Sequence, residues 1–174
     1  GNKYAAFYEI EHGELREALK HIYAIRNLSD DEELNEAANK AEKEFIELCE
    51  RGMRDGKIDP EDVRLLVYAY GYQDQPDKAI AAIQSDSSYE EEIKGYHMLL
   101  SYMYKQKKDY VKAAEHGEKR LAVIQGKLAD LEAGRPLPED DTKESLERSL
   151  SDAYLQLGLM LMIRAKDAET IEKR

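Results

Sequence analysis

The chain has one cysteine, no tryptophan, four prolines and no long apolar run. Each scarcity excludes something. A lone Cys49 permits neither an internal disulfide nor a cysteine-built metal site. Four prolines and ten glycines in 174 residues rule out collagen-like and low-complexity chains. They also weigh against an all-β domain, which needs many turns. The longest apolar stretch, 155–163, contains Gln156 and falls far short of the roughly 20 residues that span a bilayer. No membrane insertion is expected. Positive charge is in deficit, with 26 Lys and Arg against 37 Asp and Glu, a net charge of -11. That field repels a phosphate backbone, so nucleic acid is not an expected partner.

Some features are locally ambiguous. Lys105, Lys107 and Lys108 form a small basic cluster at an expected turn, where solvation accounts for it. The chain opens on Gly1, as a tag remnant or a processed terminus does. A soluble chain is expected, the cytoplasm slightly favoured, with a periplasmic or secreted location compatible with a removed signal peptide.

What is present is helical periodicity. Apolar residues recur every three or four positions, no segment has strand period, and the chain reads as all-α. About seven helices are expected, over 3–26, 31–53, 60–72, 76–84, 88–106, 110–133 and 142–165. The first either runs through Gly13, at a cost of about 1 kcal/mol, or is two helices meeting there. Start signals are Ser29 with Glu32, Asp59-Pro60, Ser88 with Glu91, Asp109, and Asp141 or Thr142. Gly134 is the expected stop before an exposed, proline-containing loop over 135–141. Cys49 falls on an apolar helix face with Phe45 and Met53, as a small core residue.

Two helical pairs repeat. Leu66, Tyr70 and Ala79 recur as Leu100, Tyr104 and Ala113, each displaced by 34 residues. Leucine and tyrosine four apart share a helix face, and a small alanine lets the next helix approach closely. With these residues the chain resembles the tetratricopeptide repeat family, whose period is 34. Residues 97–121 carry the best likeness. Tyr154, Leu157, Gly158 and Leu161 look like a further first helix, and Gly13-Glu14-Leu15 with Ala18 looks like the turn inside a unit. The resemblance implies antiparallel helical hairpins stacked as a superhelical solenoid, a single domain over 1–174. Its clearest repeats are 60–93 and 94–127, with a partial unit over 142–174 and an atypical long hairpin over 1–56. There are departures: Val67 and Ser101 replace a glycine, Gly117 replaces a bulky residue, and Ala18 to Ala79 is 61 residues.

Catalytic signatures are missing. The sequence has no phosphate loop, nucleotide glycine fingerprint, HExxH or nucleophile elbow. Glu9-x-x-His12 stands alone, whereas a di-iron bundle needs that motif twice with two further glutamates. His21, His97 and His116 have no glutamate three residues upstream. No catalytic residue, metal or cofactor is expected, and the scattered carboxylates read as a solvated face.

By the resemblance, a concave groove would be lined by Arg64, Tyr68, Tyr72, Met98, Tyr102 and Lys105. Tyrosine gives contact area at low entropic cost, although Tyr68 and Tyr102 are equally suited to packing between helices. Arg64 alone is of the kind that clamps a C-terminal carboxylate, so that partner class is not expected. The expected function is a non-enzymatic protein–protein interaction module binding a peptide or helix of a partner protein. The alternative is a ligand- or peptide-sensing regulatory domain of a larger signalling protein, and the third reading a helical enzyme built from scattered carboxylates. The last helix is apolar all round, with Leu157 and Leu161 expected against its neighbour. Leu155, Leu159, Met162 and Ile163 are then left as a self-association patch. The expected consequence is a homodimer through this helix, or a cover lying outside the given sequence.

Overall fold

The computed structural model describes residues 2–26, 31–56, 58–137 and 141–172, the last helix beyond Lys166 by its backbone alone. Nine α-helices and no strand occur among the described residues. They are α1 (Asn2–Glu11), α2 (Leu15–Ile25), α3 (Glu32–Arg54), α4 (Pro60–Tyr72), α5 (Pro76–Ile83), α6 (Tyr89–Glu92), α7 (Tyr96–Gln106), α8 (Tyr110–Glu132) and α9 (Lys143–Glu172). The chain divides into two compact units, Gly1–Lys94 and Gly95–Arg174.

Nine helices replace the expected seven because two glycines take left-handed backbone. Gly13 (φ +76) separates α1 from α2, and Gly95 (φ +80) separates α6 from α7. The apolar spacing runs on through both, so periodicity alone does not reveal the breaks. The Ser88–Glu91 capping box does not form. Ser88 is itself helical in backbone and its amide donates to Asp86 Oδ1 at 2.9 Å. The Ser29 start signal lies outside the described residues, and the cap of α3 is Asp31, which accepts from the Leu34 amide at 3.1 Å. Asp59 and Asp109 cap α4 and α8 as expected. Thr142 and Ser145 exchange amide-to-hydroxyl bonds of 3.0 and 3.1 Å at the start of α9, which runs to Glu172, past the expected end at 165.

Three hairpins, α1–α2, α4–α5 and α7–α8, close with the same turn. Glu14, Gln75 and Asp109 donate their amides to the carbonyls of Glu9, Tyr70 and Tyr104 at 2.8, 2.8 and 2.9 Å. Their left-handed residues are Gly13, Asp74 and Lys108. This six-to-one bond satisfies helix-end carbonyls that would otherwise be orphaned. Five residues after each left-handed position stands an alanine with 0% exposure: Ala18, Ala79 and Ala113. The 61-residue interval from Ala18 to Ala79 has a simple origin, since the 23-residue α3 is inserted between two such hairpins.

The first unit buries Leu19, Ile22, Leu34, Phe45, Val63 and Leu66. Cys49 is buried too, and burial pushes its thiol up to about 12. The second unit packs α7 on α8 and α8 on α9. The Ser101 hydroxyl donates to the Ala113 carbonyl at 2.8 Å, so this small residue crosses the hairpin with its polar atom satisfied. Gly117 admits α9: a Cβ there would lie 3.3 Å from Leu157 Cδ1 and 3.4 Å from Met160 Cε. The missing bulk at 117 is therefore filled by side chains of α9.

Candidate functional site

Arg64, Tyr68 and Tyr72 are four residues apart on α4 and share one face. All three are half-buried and engaged within the first unit. The Tyr23 ring of α2 lies 5.6 Å from that of Tyr68 and 5.2 Å from that of Tyr72. The Arg26 guanidinium sits 4.2 Å above the Tyr72 ring. Arg64 makes a two-pronged bond to Glu61, of 2.7 and 2.6 Å, which holds that carboxyl below its ordinary range.

Beneath this aromatic group lies Glu42 of α3, wholly buried. Arg26 donates to its Oε1, and Gln73 Nε2 donates to its Oε2 at 2.7 Å. Burial nevertheless pushes the Glu42 carboxyl above its ordinary value, because desolvation outweighs these partners. The Tyr23 hydroxyl is buried beside the Glu42 carboxyl. Desolvation first, then the Glu42 charge, keeps it protonated at any working pH. The result is a rigid knot tying α2, α3 and α4. No sequence motif announces it, because Arg26, Glu42 and Gln73 lie on three separate elements.

Met98, Tyr102 and Lys105 occupy one side of α7 in the second unit. Tyr102 is 49% exposed, whereas Met98 and Lys105 are half-buried. The six sequence-predicted groove residues thus form two trios, one on each unit.

The faces of α9 separate cleanly. Leu146, Ala153 and Met160 are buried, with Leu150 and Leu157 packed against the Leu121–Ile124 cluster of α8. Leu161 is exposed rather than facing α8, a correction that follows from register: the spacing 146, 150, 153, 157, 160 selects Met160 instead. On the opposite side Leu155 is 61% exposed, Leu159 42% and Met162 70%, with Ile163 half-buried beside them.

A cleft of about 690 Å³ opens in the first unit between the start of α2, the end of α3 and Asp62 of α4. Phe45, Leu48 and Ile58 supply its apolar wall. Arg16 Nη2 donates to Asp62 Oδ2 at 2.5 Å along its edge. Its lining residues come from three elements, and only the folded chain brings them together.

No model of a known protein family matches the chain, and no curated protein or solved structure matches it either.

Proposed function

We propose that the chain is a non-enzymatic interaction module that binds a partner protein, with the outward face of α9 as a contact surface. The exposed row Leu155, Leu159 and Met162 carries this reading. Exposed apolar rows of this kind mark contact sites when they lie together on one helix face. The repeated hairpins support it further, since a stack of such units offers its surface to peptides or helices, and a solenoid is the arrangement this reading favours. On the same reading the trios Arg64, Tyr68, Tyr72 and Met98, Tyr102, Lys105 are peptide-contact residues. Tyr102 is the member best placed to reach a partner.

The 690 Å³ cleft favours a second reading, a ligand-sensing regulatory domain, because apolar walls with a few polar groups suit a small amphipathic molecule.

The test for the first reading is the mass in solution of the intact chain and of Leu159→Glu/Met162→Glu. With a second copy as the partner, the intact chain sediments at about twice 20.0 kDa and the double variant as a monomer. The double variant should remain folded and helical, with a melting temperature lowered only by the stabilisation that association supplied to the intact chain. A dimer that survives the double substitution removes this face from the account.

A further inference from the structure

His97 of α7 and His116 of α8 stand on facing sides of one hairpin, and their rings meet nitrogen to nitrogen. The two Nδ1 atoms are 3.2 Å apart and the ring centroids 5.4 Å, a head-on hydrogen bond. The His116 ring stacks on Tyr104 at 5.6 Å and 10°, and His97 meets Tyr96 edge-on at 5.3 Å. We infer that this pair is an acid-sensitive latch on the α7–α8 hairpin: the first proton it takes from water tightens it, and the second opens it.

Proton placement follows from which ring nitrogens keep a lone pair. In the neutral pair one ring donates its Nδ1–H and keeps a lone pair on Nε2. The other accepts at Nδ1 and carries its own proton on Nε2. The first proton from water goes to the donor's Nε2. The shared bond then joins an imidazolium to an imidazole, and such charge-assisted bonds are about twice as strong as neutral ones. The single lone pair left is the acceptor's Nδ1, which the bond already uses. A second proton can enter only there. It sets two N–H groups and two positive charges against each other across 3.2 Å, so the rings must part. Neighbouring charge opposes that proton as well. Lys112 of α8 lies 5.3 Å from the Tyr104 ring that stacks on His116. Lys119 and Arg120 follow His116 by three and four residues on one helix face, and Arg120 is ion-paired at 2.9 Å with Asp152 of α9. Glu115, beside His116 in the chain, is exposed.

The hairpin comparison singles the pair out. Displaced by 34 residues, the corresponding positions of α4 and α5 are Val63 and Ala82, both buried and apolar. A hairpin of this form therefore closes without imidazoles. His21, which holds the His116 position in the α1–α2 hairpin, bonds Glu9 at 2.8 Å instead. The pair is also placed to act on a neighbour. His116 is followed by Gly117, whose missing side chain seats Leu157 and Met160 of α9. Parting of the rings disturbs α8 at the seat of α9.

The test is imidazole-nitrogen and methionine-methyl NMR of the full chain, titrated through the ordinary histidine value of about 6.5 from both sides. The His97 and His116 signals should move together in two steps, more than about one pH unit apart, as coupled sites do. The Met160 methyl should follow the lower step, with the Met53 methyl of the first unit unmoved. His97→Gln should leave His116 with one step and abolish the acid step of Met160. His12 and His21, in the spectra of the unmodified chain, should each show one step and cover the case in which the variant misfolds. A single common step for His97 and His116 overturns the inference. So does a Met160 methyl that stays still through the lower step, moves together with Met53, or keeps its acid step in His97→Gln.

Discussion

Glu42 holds its carboxylate out of water against Arg26 and Gln73, and two physical effects compete there. Charge-assisted bonds favour the ion, while burial disfavours it, and burial prevails. Removing one partner of such a pair leaves an uncompensated buried charge, whereas replacing both with apolar groups does not. Glu42→Ala should therefore destabilise the first unit by about 3–5 kcal/mol in denaturant unfolding. Arg26→Met with Glu42→Leu should recover more than half of that loss. The pH dependence has an unusual sign for a carboxylate. A folded-state pKa raised above the ordinary 4.5 means that the folded chain holds the proton more tightly. This contribution is full below 4.5 and is lost as pH rises through the folded value, and Glu42→Gln should remove it. A double variant no more stable than Glu42→Ala would show that the pair is not coupled.

At the scale of elements, the readable signals are local ones. Asp59-Pro60 and Asp109 start helices through atoms two or three residues away, so α4 and α8 are legible from a short window. The break at Gly13 is one of the two readings the sequence offers, whereas the break at Gly95 is not legible, because apolar spacing continues across it. Hairpin partners such as His97 and His116 become legible only once the turn fixes the register; Ser101 and Ala113 mark it. The Arg26–Glu42–Gln73 knot has no such guide. The turns also carry strain. Lys108 sits at φ +61, a region that costs a residue with a Cβ about 1–2 kcal/mol. Lys108→Gly relieves that cost but frees the unfolded chain by up to about 1 kcal/mol, so a net gain below about 1 kcal/mol is expected in thermal unfolding. Gly95→Ala should do the opposite, since it adds left-handed strain and a Cβ 3.3 Å from Met98 Cε. Equal melting temperatures for both variants would contradict the turn assignment.

For the molecule as a whole, the all-α class was legible in period and composition, and so was the uneven burial of the last helix. The Leu161 register was not, because both flanks of α9 are apolar and only its fit against Gly117 of α8 selects Met160. What distinguishes this acidic chain, of net charge -11, is an apolar row left in water on α9. The central claim is that a polypeptide covers that row. The most direct measurement is photo-crosslinking in cells of the source, with benzoylphenylalanine in place of Leu159, compared with the same residue in place of exposed Glu118 of α8. The account predicts one discrete adduct from position 159, either of doubled chain mass or with a second polypeptide, and none from position 118. No adduct from 159, or the same ladder of products from both positions, would contradict it.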